Sequence, residues 1–290
     1  MEQYELDAIE SIVTRQQGPY ETITVDTLTP VIGAEVSGID LSKELSDTQV
    51  AEVRKAFLQH HVLVFRDQEL SDDDHKRFAR HFGDLHPVTL PEPGSDPYIL
   101  EISATKESHV VAGDGWHSDG SADAAPSLGS MLYVTRTPDG GSGGDTLFAN
   151  MHLAYEALSP AMKTFLDGLT AIHDGMVAWQ GHTPPDGYVP PKEEHPVVVR
   201  HPETGRKLLY VNPGYTSHIV QLSPVESRAL LDMLFDLVAR QQKLSCRVRW
   251  TPNTLVFWDN RCTQHHAIWD YYPHSRYGRR IAIEGTRPKA

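Results

Sequence analysis

The chain has 290 residues, enough for one large domain with a substantial buried core, and its 39% hydrophobic and 22% charged content is that of a folded globular protein. A formal charge of −13 makes the surface as a whole repel nucleic acid and anionic membranes, so neither is expected as a partner. Two cysteines, Cys246 and Cys262, are far too few for a disulfide framework or a thiolate zinc site.

Residues 1–22 read as an N-terminal extension, with the domain proper over 23–290. Ile9, Ile12 and Val13 have helical spacing, and Gln-Gly-Pro at 17–19 would end such a helix. The extension reads equally as a loose tail or as an arm on a neighbouring subunit. The opening MEQYELDAIE is acidic and lacks an apolar secretory core, and no later apolar run has the length of a membrane helix, so a cytoplasmic protein is expected.

Four further helices are predicted in chain order. One follows Ser46-Asp47, with Val50, Val53 and Phe57 on one face. A second follows Ser71. A third covers about 152–168 with a Ser-Pro interruption at 159–160. The fourth opens at Ser223-Pro224 and turns Leu230, Leu231, Leu234 and Leu237 inward. Between them lie short β-rich runs at 62–65, 97–102, 130–134, 145–149, 196–199, 207–212, 246–250, 254–258 and 280–285. PETG at 202–205 and TPN at 251–253 are turn signals that predict two hairpins. There is no strand–helix alternation and no linker. Many short strands with a few helices predict a mainly β fold with flanking helices, a double-stranded β-helix or jelly-roll barrel.

With 16 histidines, any single one says little. His117 and Asp119 in WHSD stand two apart, which in extended chain puts both side chains on one face. Either His265 or His266, after the apolar run TLVFWD, could add a third ligand from another strand. Two imidazoles and a carboxylate leave three positions open, the arrangement of non-haem Fe(II) oxygenases. Arg276, eleven residues past His265, offers a planar fork of donors suited to the far carboxylate of a keto acid, although a solvated basic edge would also explain Arg276, Arg279 and Arg280.

At this point the chain resembles the taurine/aryloxyalkanoate dioxygenase (TauD/TfdA) family over roughly residues 23–288. The resemblance is carried by PVIGAEVSGIDL (30–41), HHVLVFRDQ (60–68), RFARHFGDLHPV (77–88), WHSDGS (116–121), GGDTLFAN (143–150), HPVVVRHPETGRKLLYVNPGY (195–215) and WDNRCTQHHAIWDYYPHSRYGRRIAIEG (258–285). It implies iron held by His117, Asp119 and His265, the last chosen because the family's ligand follows the Thr-Gln dipeptide. It implies 2-oxoglutarate held by Thr146 and Arg276, and substrate met by His86 and Arg280, with Trp179 and Tyr215 where the family places pocket aromatics. Thr89 and Gly113 stand where the taurine enzyme carries a Tyr and an Asn, which argues against taurine itself. A carboxylate at 119 favours hydroxylation over halogenation.

The resemblance implies an Fe(II)- and 2-oxoglutarate-dependent dioxygenase that uses O2 and releases succinate and CO2. It would hydroxylate a small anion such as an aryloxyalkanoate, sulfonate or sulfate ester. A homo-oligomer, dimer or tetramer, is expected. The rival readings are a zinc-dependent hydrolase on the same three ligands and a jelly-roll protein that binds a small acid without turnover.

Overall fold

The computed structural model describes residues 3–14, 18–109, 111, 113–138 and 141–290. Its helices are α1 (Gln3–Thr14), α2 (Asp47–His60), α3 (Asp72–Arg80), α4 (Met151–Glu156), α5 (Pro160–Leu166), α6 (Gly175–Ala178) and α7 (Pro224–Arg240). Its strands are β1 (Thr24–Thr27), β2 (Ala34–Ser37), β3 (Val62–Phe65), β4 (Leu85–His86), β5 (Leu100–Ala104), β6 (Gly129–Arg136), β7 (Thr146–Asn150), β8 (Thr170–Asp174), β9 (Lys192–Pro196), β10 (Val198–Arg200), β11 (Lys207–Leu209), β12 (Thr216–Ile219), β13 (Ser245–Val248), β14 (Thr254–Asp259), β15 (Thr263–Ala267) and β16 (Arg276–Ile283).

Local chemistry explains the helix starts. Ser46, Ser71 and Ser223 each close a reciprocal capping box, with Gln49, Asp74 and Glu226 respectively. The predicted third helix is two: α4 stops at Glu156 and α5 restarts behind Ser159 with Pro160 in its first turn. Helix α1 buries Ala8 and Ile12 in the main core and pairs Glu5 with Lys243 at 2.9 Å. Within this chain it is a packed element rather than a loose tail. It ends at Thr14, and Gln17 of the predicted stop lies outside the described residues.

The large sheet runs β1-β2-β3-β14-β6-β16-β4, with β5 also on β16, and is antiparallel except for the β2–β3 pair. A smaller sheet, β13-β7-β15, packs against it. Strands β3, β6 and β14 are buried on both faces. Val62, Val64, Leu132, Val134, Val256 and Trp258 join the core shared with the small sheet. Their neighbours Leu63, Phe65, Met131, Tyr133, Leu255 and Phe257 pack under α2 and α3, where Phe57 stacks on Phe257 at 3.9 Å. Burial on both sides is why VLVF and TLVFW are unbroken apolar runs rather than alternating ones. Two facing, mainly antiparallel sheets with flanking helices make the jelly roll, although among the described residues their ladders do not close into a continuous barrel.

PETG does make a hairpin, β10–β11, with Val198 opposite Leu209. TPN does not. Strand β13 pairs with β7, and β14 pairs with β3 and β6, so the turn at 251–253 carries the chain from one sheet to the other. Strands β1, β8, β9 and β12 escaped the sequence reading because they are short and polar, KEEHP and TSHI being typical.

Candidate active site

An isolated bridge ties His117, in the segment between β5 and β6, to His265 on β15, and their backbones exchange N–H···O bonds of 3.0 and 2.8 Å. Side-by-side backbones bring the imidazoles to 4.1 Å between ring centres. Asp119 lies just past the bridge, in a turn rather than in extended chain. Its Oδ1 is 3.7 Å from His117 Nε2 and 3.9 Å from His265 Nε2. One donor atom from each of the three lies within 4.8 Å of the others. His266 is on the other side of β15, 3.2 Å from Asp114, as strand alternation requires.

Each of the three is held from behind. His117 Nδ1 is 2.9 Å from the Gly115 carbonyl, so it carries the proton and leaves the Nε2 lone pair for a metal. His265 lies against Phe148 and Trp258, and burial pushes its pKa down to about 3, keeping it neutral. Burial alone would raise the Asp119 carboxyl. The guanidinium of Arg280, then His265 and His117, hold it instead below the usual carboxylate range. Ser130 Oγ donates to Asp119 Oδ2 at 2.9 Å, while Arg280 Nη1 contacts Oδ1. Asn260 clamps the Asp119 backbone, accepting from its N–H and donating to its carbonyl, both at 2.8 Å. Sequence reasoning missed Asn260 and Ser130, although WDNR was in view as a motif.

The triad lines an inner chamber of about 230 Å³ together with Thr146, Trp250, Arg276, Tyr215 and Arg280. Arg276 is only 5% exposed, and its Nε and Nη2 have no hydrogen-bond partner. Its guanidinium lies over the Trp250 ring at 5.0 Å, and Trp250 Nε1 donates to Thr146 Oγ1 at 3.0 Å. Burial depresses the Arg276 pKa, with Tyr271 opposing that shift. Trp250 and Tyr271 were not singled out in the sequence. Gly113 also lines this chamber, where an added Cβ would stand 3.3 Å from the His117 ring.

An adjoining outer chamber of about 280 Å³ shares Leu100, Asp119, Tyr215 and Arg280 with the first and adds His86, Thr89, Tyr98 and Asp123. Burial pushes the Tyr215 hydroxyl up to about 12, so it remains protonated. The arginines of β16 divide by strand period: Arg276 and Arg280 face the chambers, while Arg279 pairs with Asp72 on α3. Trp179 is placed elsewhere. It follows α6, packs near Tyr188 at 6.2 Å and lines neither chamber. A larger cavity of about 440 Å³, beside His201, Arg261 and residues 286–290, contains none of the triad.

A profile of the taurine catabolism dioxygenase TauD, TfdA family matches residues 24–282, most of the chain. The chain belongs to the TauD/TfdA family. Among TauD/TfdA relatives, an alkylsulfatase of Acinetobacter baylyi is 35% identical over 288 residues, covering 93% of this chain and 87% of its own. An alpha-ketoglutarate-dependent 2,4-dichlorophenoxyacetate dioxygenase of Cupriavidus pinatubonensis is 33% identical, covering 85% and 92%. The crystal structure of a taurine dioxygenase from Burkholderia xenovorans superposes with a TM-score of 0.80 at 36% identity, covering 92% of this chain and 91% of that one.

The TauD/TfdA chain is thus a non-haem iron, 2-oxoglutarate-dependent dioxygenase, and its residues fit both groups. Two imidazoles and an ionised carboxylate suit ferrous iron. A buried guanidinium with unspent donors suits the distal carboxylate of 2-oxoglutarate.

Proposed function

We propose that the chain hydroxylates a small organic anion, a sulfonate, sulfate ester or aryloxyalkanoate, held in the outer chamber beside the iron triad. The observation that carries this is Arg280. It touches Asp119 Oδ1 and lines both chambers, so a cation stands where the substrate chamber meets the metal centre. His117, Asp119 and His265 hold the iron, and Arg276 with Thr146 holds the co-substrate. Bound there, iron and 2-oxoglutarate supply the oxidising power, with succinate and CO2 as co-products.

The protein's own share is positioning and exclusion of water. Arg280 makes one contact to Asp119 through Nη1, leaving its other N–H groups for a substrate anion. Such an anchor fixes which C–H bond lies nearest the metal. Tyr215, buried and protonated, borders both chambers and can donate to the same anion. Hydroxylation at a carbon bearing an ether oxygen or a sulfur-linked oxygen gives a hemiketal-like product that collapses, so oxidation doubles as cleavage.

A screen of sulfonates, sulfate esters, aryloxyalkanoates and N-substituted amino acids, read by succinate formation and product mass, tests the proposal. Anions should lead. Arg280→Ala should lower kcat/KM for anions at least tenfold more than for neutral analogues, which share only the loss of its contact to Asp119, since a charge-assisted contact is worth about 1.5–3 kcal/mol. Neutral or cationic compounds in the lead would overturn it. A zinc hydrolase would work without O2, and a pure binder would form no succinate. The proposal includes a cytoplasmic homo-oligomer, whose size sedimentation velocity measures; no helix of the described residues is long and apolar enough to cross a membrane.

A further inference from the structure

Away from the triad, a second group of metal-ligating side chains converges with donor atoms left over. His61, His152 and Cys262 each offer an atom within 4.8 Å of the other two, and all three are almost wholly buried. They come from three separate places. His61 caps α2, His152 lies in the first turn of α4, and Cys262 leads into β15. His61 has φ +64, a left-handed backbone uncommon for a residue with a Cβ. Its N–H donates to the Phe57 carbonyl and its carbonyl accepts from Asp259, so the strained position is fixed from both sides.

Hydrogen bonding leaves these groups incomplete. His152 Nδ1 lies 2.9 Å from the Lys207 carbonyl, which as an acceptor places the proton on Nδ1 and leaves Nε2 as a lone pair. Neither His152 Nε2 nor His61 Nε2 has a partner. His61 Nδ1 meets only the Cys262 sulfur, at 3.5 Å. Buried polar atoms are normally satisfied, so two imidazoles with one idle nitrogen apiece, packed around a thiol whose other contact is a long 3.9 Å approach to the Asp259 carbonyl, require a reason. The adjacent set His201, Asp259 and Cys262 gives a contrast. There His201 Nε2 donates to Asp259 at 3.0 Å, its Nδ1 accepts from the backbone N–H groups of Glu203 and Thr204, and Arg261 holds Asp259 at 2.7 Å. That network is already closed.

We propose that His61, His152 and Cys262 form a second metal site, distinct from the iron triad, for a thiophilic cation of the zinc class. Two imidazoles and one thiolate are a borderline-soft ligand set, whereas His117, Asp119 and His265 are harder and contain no sulfur. Binding replaces the Cys262 S–H by a sulfur–metal bond and releases one proton to solvent. The Lys207 carbonyl on His152 is the outer hydrogen bond that such ligands carry. The ion would pin α2, α4 and the start of β15, three residues before His265.

The test is to produce the full chain in metal-depleted medium supplemented with cobalt, so that the ion is present as the chain folds. Cobalt in the triad has no sulfur ligand, but cobalt at Cys262 gives a thiolate-to-metal charge-transfer absorption in the near ultraviolet. The wild-type chain should show that absorption with two ions per chain, Asp119→Ala should keep it with one, and Cys262→Ser should lose it and retain one. A wild-type chain with one ion and no thiolate absorption overturns the site, as does an absorption that survives Cys262→Ser. Should Cys262→Ser fail to fold, His152→Gln and the wild-type stoichiometry decide.

Discussion

Arg276 carries a charge into a wall where Trp250, Tyr271 and the charge of Asp145 answer it, and two of its nitrogens have no hydrogen-bond partner. A buried donor left idle costs about 1–3 kcal/mol, more when charged, so the folded chain holds this guanidinium ready for an anion. Arg276→Ala should raise the 2-oxoglutarate concentration needed for half-maximal succinate formation by tens- to thousands-fold, from the 2–5 kcal/mol lost with one partner of a buried charge pair. An unchanged requirement would assign the keto acid to another group. In the proposed iron site His117, Asp119 and His265 act as a unit. His117→Ala or Asp119→Ala should each abolish substrate-dependent succinate release, and full turnover by either would dispose of the triad.

The site depends on how elements cross. β15 brings His265 beside His117 through one bridge, and β7 backs it with Phe148 directly opposite His265. Gly214, in the turn after β11, passes so close that an added Cβ would stand 2.6 Å from His117 Cβ. Overpacking of this kind costs about 1–3 kcal/mol, and here the strain falls on a ligand. Gly214→Ala should therefore weaken Fe(II) binding roughly tenfold, measured by titration of activity or of ligand-field absorption, with the secondary structure unchanged by circular dichroism. Iron affinity equal to wild type would mean that the turn yields at no cost. Strand alternation also separates Arg276 and Arg280 from Arg279, and His265 from His266.

The whole molecule sets the guanidinium groups of Arg276 and Arg280 at the chamber walls of a strongly acidic chain, formal charge −13. Local field, not net charge, decides what enters. It also buries several histidines in neutral form. Burial holds His75 and His173 down to about 3. Unfolded, these groups take up protons near pH 6.5; folded, they do so only near pH 3. Their contribution to stability is therefore complete above about pH 6.5 and is lost as pH falls toward 3, at up to about 1.4 kcal/mol per pH unit for each group. The melting temperature should drop steadily over that window. His75→Gln should flatten the profile, and an identical slope would show that other groups carry the acid sensitivity.

Much of this was legible along the chain because the relevant physics is local. A serine with its partner three residues later starts a helix at Ser46, Ser71 and Ser223, and a proline behind Ser159 splits one. Unbroken apolar runs announced strands buried on both faces, and the ordered motifs announced the family. Ligand identity at His117 and Asp119 could be suspected from a spacing of two, but the choice between His265 and His266 was open to the residues alone. The rest joins positions far apart in sequence. Whether TPN folds back or crosses between sheets depends on what lies opposite each strand. Trp179 fell outside the chambers because α6 carries it toward Tyr188. The Asn260 clamp, the Arg280–Asp119 contact and the buried His61–His152–Cys262 group exist only once distant strands and helices are packed. Sequence specifies each side chain's chemistry and local backbone; the assembled sheets alone settle which side chains share a space.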